Sequence, residues 1–263
     1  MPSAAVNGTD IYYELRGTGP SVLLIAGAGG DAGSFDRVAG LLADEFTVLT
    51  YDRRGNSRSP RPAGWQTTSV AEQADDAAAL LTALGLAPAA VYGNSYGAVI
   101  ALDLLVRHPA VVRCGVLNDP PLMSVVKNAS EAEAPVRAVV EAGMAAGGPE
   151  AAVEHFMRFA SGDVSWEQLD PGLRRRMLGN GETLFGVEMG KFEPYRPDDA
   201  ALSGITAPAR ALVGQDSPDV FHEVATWLAA RLGTEVLRTP GTHTPQLDHP
   251  EELVRTIRPF LAA

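Results

Sequence analysis

A serine flanked by glycines is the first feature of this sequence that could perform nucleophilic chemistry. Ser95 lies at the centre of residues 93–97, which read Gly-Asn-Ser-Tyr-Gly and follow the short apolar run 89–92. This pattern predicts a strand, a tight turn and a helix, and a missing side chain on either side of the serine lets the backbones cross closely. The turn would expose the hydroxyl and direct the N–H of Tyr96 at a developing oxyanion. We therefore interpret Ser95 as the nucleophile and Tyr96 as an oxyanion donor.

The general base for this serine must come from one of the five histidines of the chain. His243 follows the last apolar strand segment and stands in the turn Pro-Gly-Thr-His-Thr-Pro at 240–245. A histidine in that place can turn its ring towards Ser95, accept the hydroxyl proton during attack and return it to the leaving group. We interpret the other histidines as structural, because their positions suggest no catalytic partner.

Composition and charge limit the classes of molecule that this chain is expected to bind. The chain has 263 residues and is 46% hydrophobic, enough for one large α/β domain with an insertion. Its net charge of -11 would repel nucleic acids and anionic membranes, so we expect a small uncharged substrate.

The single cysteine, Cys114, rules out an internal disulfide, and neither a cofactor nor a metal is expected. The first residues show no signal-peptide pattern and no apolar run reaches the roughly 20 residues of a membrane span, so we expect a cytoplasmic protein.

The elements that would position these groups follow the pattern of an α/β sheet. Apolar runs without alternation are typical of buried parallel strands, and they occur at 21–26, 46–51, 89–92, 111–117 and 209–213. A last strand is expected at 235–237, just before the histidine turn. From residue 122 to about 203 the pattern becomes helical, and turn residues break it at Gly147-Gly148-Pro149, Asp170-Pro171-Gly172 and Glu193-Pro194.

The strand, turn and helix around Ser95, and the order of elements across nearly the whole chain, resemble the α/β-hydrolase family. The resemblance implies a mostly parallel eight-stranded sheet flanked by helices, with a helical cap inserted after the sixth strand. Residues 1–121 would form the first part of the core, 122–203 the cap and 204–263 the second part of the core. The cap would cover Ser95, close a substrate pocket and exclude water.

The glycine-rich loop at 27–30 faces the serine turn in the resembled fold. The family usually has His-Gly at this place, and Ala26 stands here where the histidine would be. The resemblance assigns the second oxyanion N–H to Ala28. This role needs a backbone amide and no particular side chain, so the departure at Ala26 matters little.

The acid that orients the histidine has two candidates. In much of the family it stands three positions beyond the strand that ends here at Gly214, where this sequence has Ser217 with Asp216 before it. In a subset of the family it follows the preceding strand and comes directly before a proline, an arrangement that Asp119 resembles. We favour Asp119 and keep Asp216 as the alternative. Either carboxylate would hold the imidazole tautomer and stabilise the imidazolium.

These residues and the resemblance imply a serine hydrolase that cleaves a small, mainly apolar ester or lactone through an acyl-enzyme. Short stretches are similar to lactonases that open the macrolide zearalenone: the Gly-Thr-Gly-Pro turn, Ser57-Arg58-Ser59, the acid before Pro120 and Gly-x-His-x-Pro. The same scaffold also supports natural-product cyclases or thioesterases, cofactor-free perhydrolases and non-catalytic ligand-binding proteins. We expect a monomer or a homodimer.

Overall fold

The computed structural model describes residues 1–189 and 195–262 and contains an eight-stranded sheet in the order β1-β2-β4-β3-β5-β6-β7-β8. The strands are β1 Ser3–Val6, β2 Thr9–Arg16, β3 Ser21–Ile25, β4 Thr47–Tyr51, β5 Ala89–Asn94, β6 Val112–Asn118, β7 Ala209–Gly214 and β8 Leu237–Thr239. β2 pairs antiparallel with β1 and β4, and the pairs from β4 to β8 are parallel. The predicted sheet is therefore confirmed.

Helices cover both faces of the sheet and form the insertion. They are α1 Asp36–Leu42, α2 Val70–Ala83, α3 Tyr96–Arg107, α4 Ala129–Ser161, α5 Asp163–Gln168, α6 Pro171–Gly179, α7 Gly181–Thr183, α8 Asp199–Ser203, α9 Asp219–Leu232, α10 Pro245–Asp248 and α11 Pro250–Leu261. A π-helical turn, Leu184–Glu188, follows α7. Within residues 1–189 and 195–262, no helix combines the length and the apolar character that a bilayer span requires.

Alternation along the central strands explains why these helices form two layers. In β3, Leu23 and Ile25 join the apolar cluster that includes α2, α3 and α9, whereas Val22 and Leu24 join the cluster that includes α1 and α11. Successive side chains of a strand point to opposite faces, so a run that is apolar throughout must be covered on both sides. This is the reason for the uninterrupted hydrophobic runs in the sequence.

The expected helical insertion follows β6, and we call it the cap: the segment between β6 and β7 that carries α4 to α8. The predicted break at Gly147-Gly148-Pro149 is a kink in α4, where Gly148 has a φ of 75°. α6 begins after Asp170, whose side chain accepts a hydrogen bond from the Leu173 N–H. The predicted break at Glu193-Pro194 lies outside the described residues. The limits 122–203 stay a prediction.

The parallel strands end at one level, which brings the residues that follow them together. Asn94 of β5 is in register with Asn118 of β6, and Asn118 with Leu212 of β7. In open α/β sheets, sites form outside these carboxyl ends. β8 lies two residues later than the predicted 235–237, because its pairing with β7 begins at Leu237.

Candidate active site

The turn at Ser95 joins β5 to α3 with a strained backbone. Ser95 has a φ of 55° and a ψ of -123°, a conformation that costs a residue with a side chain about 1–3 kcal/mol. Its N–H donates to the Asn118 carbonyl oxygen at 2.8 Å, which fixes the turn to β6. A Cβ on Gly97 would lie 2.2 Å from the carbonyl oxygen of Ile25, and one on Gly93 would lie 2.2 Å from that of Gly97. Only glycine fits at these two positions.

Ser95 is also the one partly exposed residue of a buried stretch. Every other residue from 89 to 105 is buried. The sheet and α3 therefore present a single side chain of this segment outside the core, and that side chain carries a hydroxyl.

The structure brings Asp119 and His243 together. His243 Nδ1 lies 3.2 Å from Asp119 Oδ2, and the side chains are 11% and 0% exposed. Asp119 has a φ of 48°, and its N–H donates to the Leu212 carbonyl oxygen at 3.0 Å. Because an ionised carboxylate only accepts hydrogen bonds, this contact places the histidine proton on Nδ1. Nε2 is then the nitrogen that can accept a proton.

Asp216, the alternative acid, has a different environment. It is exposed, and its backbone N–H donates to the Gly241 carbonyl oxygen at 3.0 Å. Its neighbour Ser217 is buried and donates through Oγ to Asp119 Oδ2 at 2.6 Å. The position where much of the family carries an acid is therefore occupied by a hydroxyl that binds the carboxylate of Asp119. The sequence did not predict this role for Ser217, although its place three residues after Gly214 was the available signal.

Asn94, the residue before Ser95, also holds the histidine loop. Asn94 Nδ2 donates to the His243 carbonyl oxygen at 2.8 Å, and Gln246 Nε2 donates to Asn94 Oδ1 at 2.9 Å. Tyr92 OH donates to Asn118 Oδ1 at 2.6 Å. Burial, aided by the charge of the Asp119 carboxylate, raises the pKa of Tyr92 well above its ordinary value, so this hydroxyl remains a donor. The carboxyl ends of β5 and β6 and the loop after β8 are thus joined by buried hydrogen bonds.

An aromatic ring covers the imidazole. Phe221, in the first turn of α9, stacks on His243 with ring centroids 4.3 Å apart and an interplanar angle of 27°. Such packing limits the rotation of the imidazole and supports the Nδ1 contact with Asp119. The sequence carried no signal for it, because Phe221 is separated from His243 by the rest of α9 and by β8.

The glycine-rich loop approaches the serine from the end of β3. A Cβ on Gly27 would lie 3.1 Å from the Ser95 Cβ, so the loop backbone passes directly beside the serine. The Gly30 N–H donates to the Gly27 carbonyl oxygen at 3.2 Å, which closes a turn that contains Ala28. Tyr96 is the first residue of α3, so its N–H belongs to the N-terminus of that helix. Both predicted oxyanion donors therefore belong to segments that border Ser95.

Apolar cap residues lie over this loop. A Cβ on Gly29 would lie 3.4 Å from Leu184 Cδ2 and 4.0 Å from Met157 Sδ. Ala28 packs against the apolar cluster of the cap, whose buried members are Val153, Met157, Trp166, Leu173, Met177 and Leu184. The wall next to the predicted oxyanion loop is therefore apolar.

Polar contacts fasten the cap to the same loop. Arg176 Nε donates to Asp31 Oδ2 at 2.6 Å, and Asn180 Nδ2 donates to the Gly29 carbonyl oxygen at 3.0 Å.

Among the residues that the structure describes, no group of three or more His, Cys, Asp or Glu side chains is arranged to hold a metal ion.

The chain is similar to several known hydrolases. The chain is 34% identical over 252 residues to the uncharacterized hydrolase YraK of Bacillus subtilis, covering 91% of this chain and 88% of that protein. It is 28% identical over 273 residues to the zearalenone hydrolase of Cladophialophora bantiana, covering 97% and 95% of the two chains. A thermophilic esterase from Thermogutta terrifontis has a similar structure, with a TM-score of 0.78, 24% identity and coverage of 99% and 96%. A profile of the alpha/beta hydrolase family matches residues 22–256, and this chain belongs to that family.

Proposed function

We propose that this hydrolase cleaves a carboxylic ester or lactone of a small, mainly apolar substrate, with Ser95 as nucleophile, His243 as base and Asp119 as acid. The observation that carries the proposal is the buried contact of His243 Nδ1 with Asp119, together with the partial exposure of Ser95 at the turn of the strand–turn–helix. A carboxylate held on Nδ1 fixes the tautomer in which Nε2 can accept the serine proton.

The reaction would proceed in two acyl transfers. Ser95 Oγ attacks the substrate carbonyl carbon while His243 Nε2 takes the hydroxyl proton, and the carbonyl oxygen becomes an oxyanion. The N–H groups of Tyr96 and Ala28 stabilise that charge. The C–O bond to the leaving alcohol then breaks, and the imidazolium protonates the alcohol. Water, deprotonated by the same imidazole, attacks the acyl carbon. The bond between that carbon and Ser95 Oγ then breaks, the imidazolium returns the proton to Oγ, and the acid is released.

Two features favour an apolar, neutral substrate. The cap residues Met157 and Leu184 lie against the glycine-rich loop and supply an apolar wall. The net charge of -11 works against anionic substrates. The similarity to a zearalenone hydrolase and to an esterase supports lactones and esters as the first compounds to test.

We further expect a cytoplasmic enzyme that acts as a monomer or homodimer and binds neither nucleic acid nor membranes.

A chain-length series of nitrophenyl esters, with several lactones beside it, tests the proposal. We expect the wild type to release a burst of nitrophenol and to react with a fluorophosphonate at Ser95, since both need an activated serine. Ser95→Ala should abolish turnover and labelling, whereas Ser203→Ala, on the exposed face of α8, should retain both. A folded wild type that turns over none of these compounds and resists the fluorophosphonate would contradict the proposal.

A further inference from the structure

An arginine without solvent exposure lies beside the glycine-rich loop. Arg53 follows β4, and its side chain is 0% exposed, while its partner Glu188 in the cap is 2% exposed. Both terminal nitrogens of Arg53 donate to the Glu188 carboxylate, with Nη2 3.1 Å from Oε2. Asn56 Nδ2 donates to the same carboxylate at 3.0 Å. The core and the cap therefore share one buried, bidentate ion pair.

Arg53 also contacts both segments that would form the oxyanion hole. Its Nη2 donates to the Gly27 carbonyl oxygen at 3.2 Å, and its Cζ lies 5.1 Å from the centre of the Tyr96 ring. The Gly27 carbonyl and the Ala28 N–H belong to one peptide group, which is planar. In a trans peptide the two point in opposite directions. A hydrogen bond that holds the carbonyl therefore fixes the direction of the Ala28 N–H.

Stability alone gives little reason for this ion pair. Moving two charges out of water costs several kcal/mol per ion, and a well-packed apolar pair of similar volume is often at least as stable. Burial disfavours the charged form of Arg53, but the Glu188 carboxylate outweighs it and raises the pKa of the guanidinium above its usual value. A lasting positive charge on the carbonyl side of a peptide polarises the peptide and makes its N–H a stronger donor.

We propose that Arg53 is a positioning residue that holds the Gly27–Ala28 peptide in the orientation of an oxyanion hole, and that Glu188 of the cap holds Arg53 in that place. The inference rests on the proposed function, because it assigns how one donor of that site is oriented. It couples the cap to the reaction: displacing Glu188 releases the guanidinium, and the Gly27 carbonyl then loses the hydrogen bond from Arg53 and keeps the one from the Gly30 N–H.

The double substitution Arg53→Met with Glu188→Met tests the proposal, because it removes both charges and leaves no unpaired ion in the core. We expect kcat on a nitrophenyl ester to fall about 10- to 100-fold, less than the loss from deleting a whole oxyanion donor, with KM changed less than about twofold. Affinity for a boronic acid, which imitates the tetrahedral intermediate, should fall by the same factor as kcat. Arg53→Lys keeps the charge and should retain more activity than Arg53→Met.

The neighbouring pair of Arg54 and Asp76 provides a matched control. These side chains are 5% and 2% exposed and approach to 2.6 Å, but Arg54 contacts the Asn7 carbonyl oxygen rather than the glycine-rich loop. Arg54→Met with Asp76→Leu should keep kcat within about threefold, because it removes a buried ion pair whose hydrogen bonds go to Asn7 and not to the Gly27–Ala28 peptide. Equal losses of kcat in the two double variants would overturn the proposal and indicate a general loss of packing.

The Ala28 amide gives a readout that does not depend on turnover. Its NMR cross-peak should move strongly in the Arg53→Met, Glu188→Met variant and little in the control. An unchanged cross-peak with unchanged kcat would refute the positioning role. If the cross-peak moves but the wild type neither turns over esters nor reacts with a fluorophosphonate, the hydrolase proposal fails while the positioning of the peptide stands. Should the double variant not fold, Glu188→Gln, which keeps the shape and removes one charge, serves in the same comparison.

Discussion

The two halves of the proposed catalytic site are built in different ways. The nucleophile half, at Ser95, is made by the consecutive residues 93–97 where β5 joins α3, and close backbone contacts leave no room for a Cβ on Gly93 or Gly97. The acid–base half combines the loops after β6, β7 and β8, where Asp119, Ser217 and His243 meet. Backbone packing determines the first half, and hydrogen bonds between distant residues determine the second. Substitutions at the glycines of the first half should therefore act through folding, and substitutions in the second half through rate.

The largest effect is expected in the nucleophile half. Gly97→Ala places a Cβ 2.2 Å from the backbone oxygen of Ile25, which cannot move without disrupting β3. We expect a destabilisation above about 4 kcal/mol, seen as loss of folded protein in urea denaturation and circular dichroism. Gly40 in α1 is the control, because a Cβ there meets nothing within 4 Å. Gly40→Ala should be neutral or stabilising by up to about 1 kcal/mol. A stable, active Gly97→Ala protein would show that sterics do not define this half.

In the acid–base half, Asp119→Asn should leave the fold intact and lower kcat by about 10,000-fold, because the amide favours the wrong histidine tautomer. Asp216→Asn, at an exposed position, should keep kcat within about twofold, since it removes no buried contact. Steady-state kinetics on one nitrophenyl ester, with thermal melts as a folding check, measure both. If the two variants exchanged their effects, the acid would be Asp216.

A smaller effect is expected at Ser217. Ser217→Ala removes the 2.6 Å hydrogen bond to Asp119 Oδ2, a charge-assisted contact of the kind that contributes about 1.5–3 kcal/mol. We expect kcat to fall about 10-fold, with KM nearly unchanged, because only the acid's position is affected. Ser217→Thr, which keeps the hydroxyl, should recover most of the rate. An unchanged kcat in Ser217→Ala would mean that Asp119 needs no second partner.

The smallest expected effect concerns Tyr92, whose hydroxyl donates a hydrogen bond to Asn118 at the end of β6. Its pKa is raised by burial, so the folded chain keeps the phenol proton where an unfolded tyrosine, with a pKa of about 10, loses it. This contribution to stability is present below about pH 10 and is lost above it, by up to about 1.4 kcal/mol per pH unit. Tyr92→Phe should therefore flatten the fall in the urea midpoint between about pH 9 and pH 11. Equal slopes for wild type and variant would contradict the assignment.

The fold and the strand–turn–helix at Ser95 could be predicted from local patterns. An uninterrupted apolar run indicates a buried strand, and a serine between glycines indicates a tight turn, without knowledge of distant residues. His243 could be selected by its place after the last strand. The acid stayed open, because Asp119 and Asp216 both follow strands. Only their burial and contacts in the folded chain separate them.

Other contacts left no sequence signal at all. Glu188 lies 135 positions from Arg53, inside a helical stretch that resembles any other part of the cap in its pattern. The stacking of Phe221 on His243 depends on how α9 packs beside the histidine loop. Such pairs arise from tertiary packing, which hydrophobic periodicity does not encode.

Strands β6 and β7 pair with each other although the whole cap lies between them in the chain. The sheet must therefore close a long loop when it forms. The chain entropy lost on closure grows with the logarithm of loop length, and doubling the loop costs only about 0.6 kcal/mol. The core can therefore carry caps of different length and sequence with little change in its own stability. Arg53 sets a limit to this freedom. A cap without a carboxylate at the place of Glu188 would leave a buried cation without a counter-ion, so substrate range can evolve through the cap only along sequences that keep that charge.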